Sequence, residues 1–186
     1  NPTKDDYKEW IPIGNDSTAY NGTFDGANHV IRGIYLVNTK LDYIGLFSHI
    51  DSLGVVKNLT IKDSYIKGHQ FNGFVCGHNK GTIKNCRNYG TIGYANDYSG
   101  GIVGLNEKDV LSCVNYGQIT AEGGICGMNK GMISECTNYG DVSTGNYFAG
   151  ICGTQKEGTI SKCLNYGSIG FKSNSCTYIA GICGEM

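Results

Sequence analysis

The sequence predicts an all-β chain wound into a single β-solenoid (parallel β-helix) of about six to seven coils, each 23–31 residues long. Three observations carry that expectation. A glycine-framed motif recurs along the chain, the apolar stretches between its glycines are only three to five residues long and often β-branched, and no window of ten or more residues shows helical i, i+3, i+4, i+7 spacing. Glycines every few residues would cost about 1 kcal/mol each inside a helix, whereas short strands joined by Gly and Asn corners accommodate them.

The repeat is read by laying the motif under itself. "FVCGHNKGTIKNCRNYG" spans 74–90, "GIVGLNEKDVLSCVNYG" 101–117, "GICGMNKGMISECTNYG" 124–140 and "GICGTQKEGTISKCLNYG" 150–167, and "GICG" at 181–184 begins another copy. Backwards, "GLFSHIDSLGVVKNLTI" at 45–61 and "FDGANHVIRGIYL" at 24–36 continue it without cysteine. One column then reads Phe24, Phe47, Cys76, Val103, Cys126, Cys152, Cys183, and a second reads Ile34, Leu59, Cys86, Cys113, Cys136, Cys163. Spacing within a copy hardly varies, so length differences collect between NYG and the next GG, as in a coil with fixed walls and one variable loop. Three short strands per coil, stacked at about 4.8 Å, give a rod of roughly 30 Å.

The corners follow from residue type. Gly81, Gly131 and Gly158 are expected in the left-handed region, with Asp109 as the tolerant exception. Asn79, Asn106 and Asn129 (Gln155 next) form one amide column, and Asn88, Asn115, Asn138 and Asn165 another, each placed to hydrogen-bond along the axis. Residues 1–186 are read as one segment, 1–23 a capping region and 24–186 the coils, with the final copy leaving a strand edge for other domains of the same polypeptide or for neighbouring coils. A start at Asn1 with no targeting segment suggests a piece of a larger, exported protein.

Composition narrows function. A net charge of −1 and a pI near 6.4 give no electrostatic reason to expect nucleic acid or an anionic membrane as partner, and no apolar run approaches bilayer-spanning length. The 29 glycines would suit disorder, but 40% apolar residues and 13 tyrosines argue for a packed fold.

"WIPIG" (10–14), "YNGTFDGANHVIRGIYL" (20–36), "IGLFSHI" (44–50) and "VVKNLTI" (55–61) resemble the opening of GLUG-motif repeat regions, and "GGIVG", "GGICG", "GTIKNC" and "NYGTI" resemble the repeats that follow. The resemblance covers nearly the whole chain. It implies a right-handed parallel β-helix in an exported bacterial surface protein, either adhesin-like or an IgA-specific metallopeptidase whose zinc domain lies elsewhere. No H-E-x-x-H signature occurs here, and Cys stands where GLUG copies often carry Ser, Val or Ala.

Cysteine chemistry is weighed column by column. No C-x2-C pair exists, so a metal site is not expected. His78 beside Cys76 has a counterpart in His49, which makes it a repeat feature more readily than a catalytic base. Cys76, Cys126, Cys152 and Cys183, and Cys86, Cys113, Cys136 and Cys163, exchange with Phe, Val, Ile or Leu and read as apolar ladder steps holding free thiols, with some disulfides as the alternative. Ile125 and Cys126 are adjacent yet both columns are apolar, so either a bend separates them or the outer face is covered.

Asp25, Asp51, Asp97, Asp109, Asp141, Glu107, Glu122, Glu135 and Glu157 fall at different registers, as scattered carboxylates on a solvated face. No catalytic residue and no cofactor is expected, and a carbohydrate-active enzyme is disfavoured. Tyr89, Tyr116, Tyr139 and Tyr166, each between Asn and Gly, form the candidate binding stripe for a glycan or host protein, joined by Tyr94, Tyr98, Tyr147, Phe148, Phe171 and Tyr178 in the loops. The expected role is a non-catalytic structural and adhesive segment at the cell surface, with an accessory substrate-positioning region of a secreted metallopeptidase as the alternative.

Overall fold

The structure, a computed structural model, describes residues 9–94, 98–143, 147–170 and 178–186. Among these residues every element is a strand, every named strand pairing is parallel, and the chain winds as a β-solenoid. The first wall stacks six strands, Phe47–Ile50, Cys76–Asn79, Val103–Asn106, Cys126–Asn129, Cys152–Gln155 and Cys183–Glu185. Six stacked strands enclose about five full turns. The second wall runs from Thr23–Asp25 to Thr159–Ser161 and the third from Val30–Arg32 to Leu164–Asn165, again six strands each. A short fourth wall, not foreseen in the three-strand repeat, stacks Tyr35–Val37, Tyr65–Lys67 and Thr91–Ile92, and continues through Ile119 to Val142–Ser143 and Ile169–Gly170.

Two column assignments are corrected. Phe24 pairs with Val56 in the second wall, and the residue bridged to Phe47 on that side is Ile13. Ile34 lies beside Ser64, because Tyr35 pairs with Tyr65, so it is outside the Cys86 column, where Leu59 belongs. Removing the step from Phe24 to Phe47 accounts for the excess in the expected coil count.

Side chains from all four walls meet inside. Val56, Ile83, Val110 and Ile133 of the second wall and Ile66, Ile92, Ile119 and Val142 of the fourth are fully buried, each worth roughly 1.5–3 kcal/mol of transfer free energy. The first wall is buried on both faces. At its entrance one carbonyl accepts two successive N–H groups from the adjacent coil, Ile102 O from Val75 and Cys76, Ile125 O from Ile102 and Val103, and Ile151 O from Ile125 and Cys126. This recurring bulge turns adjacent residues such as Ile125 and Cys126 both into the core. The outer face is covered as well: a Cβ on Gly77, Gly104 or Gly127 would come within 2.3, 2.1 and 2.0 Å of the backbone of Tyr43, Phe71 and Tyr98. Both alternatives raised by the sequence therefore operate together.

The corners differ from expectation in an informative way. Gly158 is left-handed (φ 77°), but Gly81 and Gly131 are not, and their column contains Lys108, since Asp109 pairs with Thr82 and Met132. At Gly81 and Gly131 the constraint is proximity, a Cβ falling 2.2 Å from Gly54 O and from Lys108 O, while the same column admits a side chain at Lys108. The left-handed corner lies between the second and third walls and is occupied by Asn58, Asn85, Ser112, Glu135 and Lys162, with φ between 52° and 58°.

Candidate functional site

The tripeptide NYG builds the most distinctive surface on the rod. Asn88, Asn115 and Asn138 end third-wall strands and are fully buried. Each side chain clamps its own corner: Asn115 Nδ2 donates to Gly117 O at 3.0 Å and Asn115 Oδ1 accepts from Gly117 N at 3.2 Å. The same amides link coils, with Nδ2 to Oδ1 distances of 2.8, 2.8 and 2.9 Å from Asn88 through Asn115 and Asn138 to Asn165. The other amide column does likewise, from Asn79 through Asn106 and Asn129 to Gln155, at 2.8, 2.7 and 2.9 Å. The glycine completes the corner, because a Cβ on Gly140 would sit 1.9 Å from Gly117 O.

With Asn turned inward and Gly tight against the neighbouring coil, the tyrosine between them points out. Tyr89, Tyr116, Tyr139 and Tyr166 are 40%, 41%, 47% and 64% exposed. Their rings stack, with centroids 4.5, 5.0 and 5.1 Å apart and planes within 13° of parallel. Centroid separations beyond van der Waals contact between parallel rings mean an offset stack, the favoured geometry. Each inner ring therefore covers much of its neighbours' faces, and the stripe offers water mainly ring edges and a row of phenolic hydroxyls. Lys62 Nζ lies 4.2 Å from the centroid of the Tyr89 ring and caps that end as a cation–π partner.

Beside the stripe runs the outer face of the fourth wall. Near its start a cavity of about 320 Å³ is lined by Tyr35, Asp63, Ser64, Tyr65, Tyr89 and Thr91 together with Ile34, and further along one of about 290 Å³ lies among Gln118, Thr120, Asp141, Ser143 and Ser168. Thr91 and Gln118 are neighbours on this wall, where Ile92 N bonds Gln118 O at 3.0 Å, so both cavities lie on one face.

The loop aromatics divide among roles. Tyr94 is exposed, whereas Phe148 is core, Tyr147 stacks with Tyr178 at 5.4 Å, and Tyr98 joins a second stack, Tyr43–Phe71–Tyr98, with centroids 5.1 and 5.2 Å apart. Phe171, Asp97 and Cys176 lie outside the described residues. The Tyr43–Phe71–Tyr98 stack was missed from sequence although its steps of 28 and 27 residues match the repeat. Beneath it His49 and His78 pair in register, their ring centroids 5.3 Å apart, and burial lowers the pKa of both.

Cys126, Cys152 and Cys183 are register partners, with Cys76 and Cys126 flanking Val103. The described cysteines are free thiols. In this column each Sγ faces the carbonyl two residues ahead at 3.1–3.2 Å; Cys86, Cys113, Cys136 and Cys163 face the one two residues behind at 3.2–3.4 Å. Burial pushes the thiols of Cys76, Cys113 and Cys152 well up. Most carboxylates are engaged at the surface, but Glu122 is buried and accepts from Tyr98 N at 3.0 Å, which corrects its placement on a solvated face.

Fold and site together define a β-solenoid displaying an exposed tyrosine stripe beside a wall that carries two polar cavities. Over 84 residues (44% of this chain) it is 33% identical to Halomucin of Haloquadratum walsbyi, and over 79 residues (41%) it is 34% identical to a protein described as a Gly-rich membrane protein from Evansella cellulosilytica. The matched stretches are 1% and 9% of those relatives' lengths. No family model and no solved structure matches the chain. Among the described residues no helix is long and apolar enough to cross a membrane.

Proposed function

We propose that this chain is a non-catalytic, adhesive display segment of an exported surface protein, built from GLUG-like repeats and binding through its tyrosine stripe. The observation that carries the reading is the exposure of four stacked tyrosines that the interior does not need. Their neighbours Asn88, Asn115 and Asn138 hold the corners, while the rings remain in water. Relatives named for a mucin and for a membrane protein agree with a surface or structural setting. The non-catalytic part rests on how the ionisable groups are used. Asp25 accepts from Ala27 N and Asn58 and pairs with Lys57, Glu107 pairs with Lys130 and lies 3.4 Å from His78, and Glu135 pairs with Lys162.

The test is a binding screen of the whole chain against arrayed glycoconjugates and host surface proteins, repeated with a Tyr116→Ala/Tyr139→Ala variant. Binding by the parent chain that weakens at least tenfold in the variant supports the stripe. Binding that survives the double substitution, or no binding at all, overturns it.

A further inference from the structure

Resting on that reading of the stripe, we propose a ligand class for the face: a neutral, linear glycan lying along the rod axis on the outer face of the fourth wall, beside the tyrosine stripe. The first argument is geometric. One border of this face is the stripe of Tyr89, Tyr116, Tyr139 and Tyr166, whose rings repeat at 4.5–5.1 Å and whose first member, Tyr89, lines a cavity directly. Next to it runs the row Thr91, Gln118, Asp141 and Ser168, one per coil and so about 4.8 Å apart. Two parallel rows of hydrogen-bonding groups, repeating at one interval, match a polymer whose units carry hydroxyls on both edges and advance by a similar length. From the coil of Tyr35 to that of Ser168 there are five steps, about 24 Å, enough for several sugars.

The second argument is chemical. The two cavities are lined by hydroxyl, amide and aromatic groups, and no Lys or Arg lines either. Their charged groups are Asp63, paired with Arg32, and Asp141, which accepts from Ser168 N at 3.1 Å. Of the cations nearby, Arg32 is engaged by Asp63, Lys62 lies over the Tyr89 ring and Lys67 belongs to the first coils, so within the cavities an anionic polymer would meet carboxylates, whereas a neutral chain meets donors and acceptors it can satisfy. The third argument concerns the floor. The residues following the inward Ile92, Ile119, Val142 and Ile169 are Gly93, Thr120, Ser143 and Gly170, small enough to leave a trough, where the first coils carry Val37 and Lys67. At that first end Tyr35 and Tyr65 stack less tightly (6.0 Å, 27°) and, with Tyr89, enclose the larger cavity, where an aromatic face can meet a sugar ring.

The experiment measures binding of the whole chain to cellohexaose, mannohexaose, xylohexaose and chitohexaose, to their disaccharides, and to hexagalacturonate, by calorimetry. The parent is compared with Ser143→Trp, which fills the trough without touching a tyrosine, and with Tyr116→Ala/Tyr139→Ala; unchanged circular dichroism and melting confirm folding. At least one neutral hexasaccharide is expected to bind at least tenfold more tightly than its disaccharide and than hexagalacturonate, with a tenfold or greater loss in both variants. If the stripe binds an arrayed protein or branched glycoconjugate while no neutral hexasaccharide binds, or if Ser143→Trp has no effect, the linear-glycan assignment is overturned and the adhesive reading survives. If nothing binds in either assay, both fall.

Discussion

Asn115 is where the fold's dependence on its amide columns can be measured. Its side chain makes four hydrogen bonds with no exposure to water: to Gly117 O, from Gly117 N, to Asn138 Oδ1 and from Asn88 Nδ2. Asn115→Leu keeps the branched heavy-atom shape, with somewhat more bulk, and removes all four. Asn88 Nδ2 retains Gly90 O at 3.4 Å, but Gly117 N–H, Gly117 O and Asn138 Oδ1 lose the partner that satisfied them in a dry interior. At roughly 1–3 kcal/mol for each stranded buried group, two to three such groups amount to about 2–9 kcal/mol, against a total stability of about 5–15 kcal/mol for a domain. The control is Asn165→Leu in the last coil that carries the column. Asn165 is only partly buried, water can replace the lost partners, and the expected cost is about 1–2 kcal/mol. Guanidinium titration followed by far-ultraviolet circular dichroism reads both. A midpoint for Asn115→Leu within about 1 kcal/mol of the parent, or equal losses at the two positions, would refute the idea that the column holds the corners from within.

Two further outcomes follow from the buried ionisable groups. Burial lowers the pKa of His49 and His78, more than the Glu107 carboxylate near His78 and the Asp16 carboxylate raise it, with Lys80 also opposing protonation. The folded state thus prefers both rings neutral. Their contribution is present above the ordinary value of about 6.5 and is lost as pH falls through it toward the folded values. The melting temperature is expected to drop between pH 7.5 and 5, with a shallower drop in His78→Gln; an equal slope in that variant would remove the histidines as the cause. In a Cys176→Ser background at pH 8, an aromatic disulfide reagent is expected to label Cys163 and Cys183 first, because these are half-buried, and Cys76, Cys86, Cys113, Cys126, Cys136 and Cys152 only on unfolding. Mass spectrometry of quenched samples reads the order, and prompt labelling of the six in the native protein would contradict their place in a closed core.

What could be read from the sequence was what stacking forces to repeat. In a parallel solenoid each residue sits on its own counterpart one coil away, so a buried amide such as Asn115 is satisfied by another amide at the same place, and the requirement prints itself as a column. Cys, Val, Phe and Leu share columns for the complementary reason, since a core position asks only for apolar volume. The failures lie where that logic weakens. Phe24 was placed with Phe47 because an apolar residue near a glycine looks alike in the first and second walls; only the pairing of Phe24 with Val56 separates them. The left-handed corner was missed because Ser112, Glu135 and Lys162 are not the residues that conformation favours. The sequence allows a cover over the first wall but does not name its residues, because Tyr43, Phe71 and Tyr98 lie in the stretch whose length varies, where a column is hard to follow.

The tyrosine stripe begins where the way of turning the corner changes. In the first two coils the positions of Tyr89 and Gly90 are held by Arg32 and Gly33, then by Lys62 and Asp63, and Gly33 and Asp63 turn with left-handed backbones (φ 74° and 48°). From Asn88 onward the turn is clamped by the asparagine side chain, and Gly90, Gly117, Gly140 and Gly167 need no positive φ. The inward clamp and the outward ring thus arrive together, as two sides of one tripeptide. A clamp needs only Asn and Gly, and the residue between them faces water, where interior packing asks for nothing in particular. That four coils place tyrosine there, after two coils that place arginine and lysine, separates the surface from the needs of the fold. The corner accounts for the asparagine and the glycine; the tyrosine is left for whatever the rod meets.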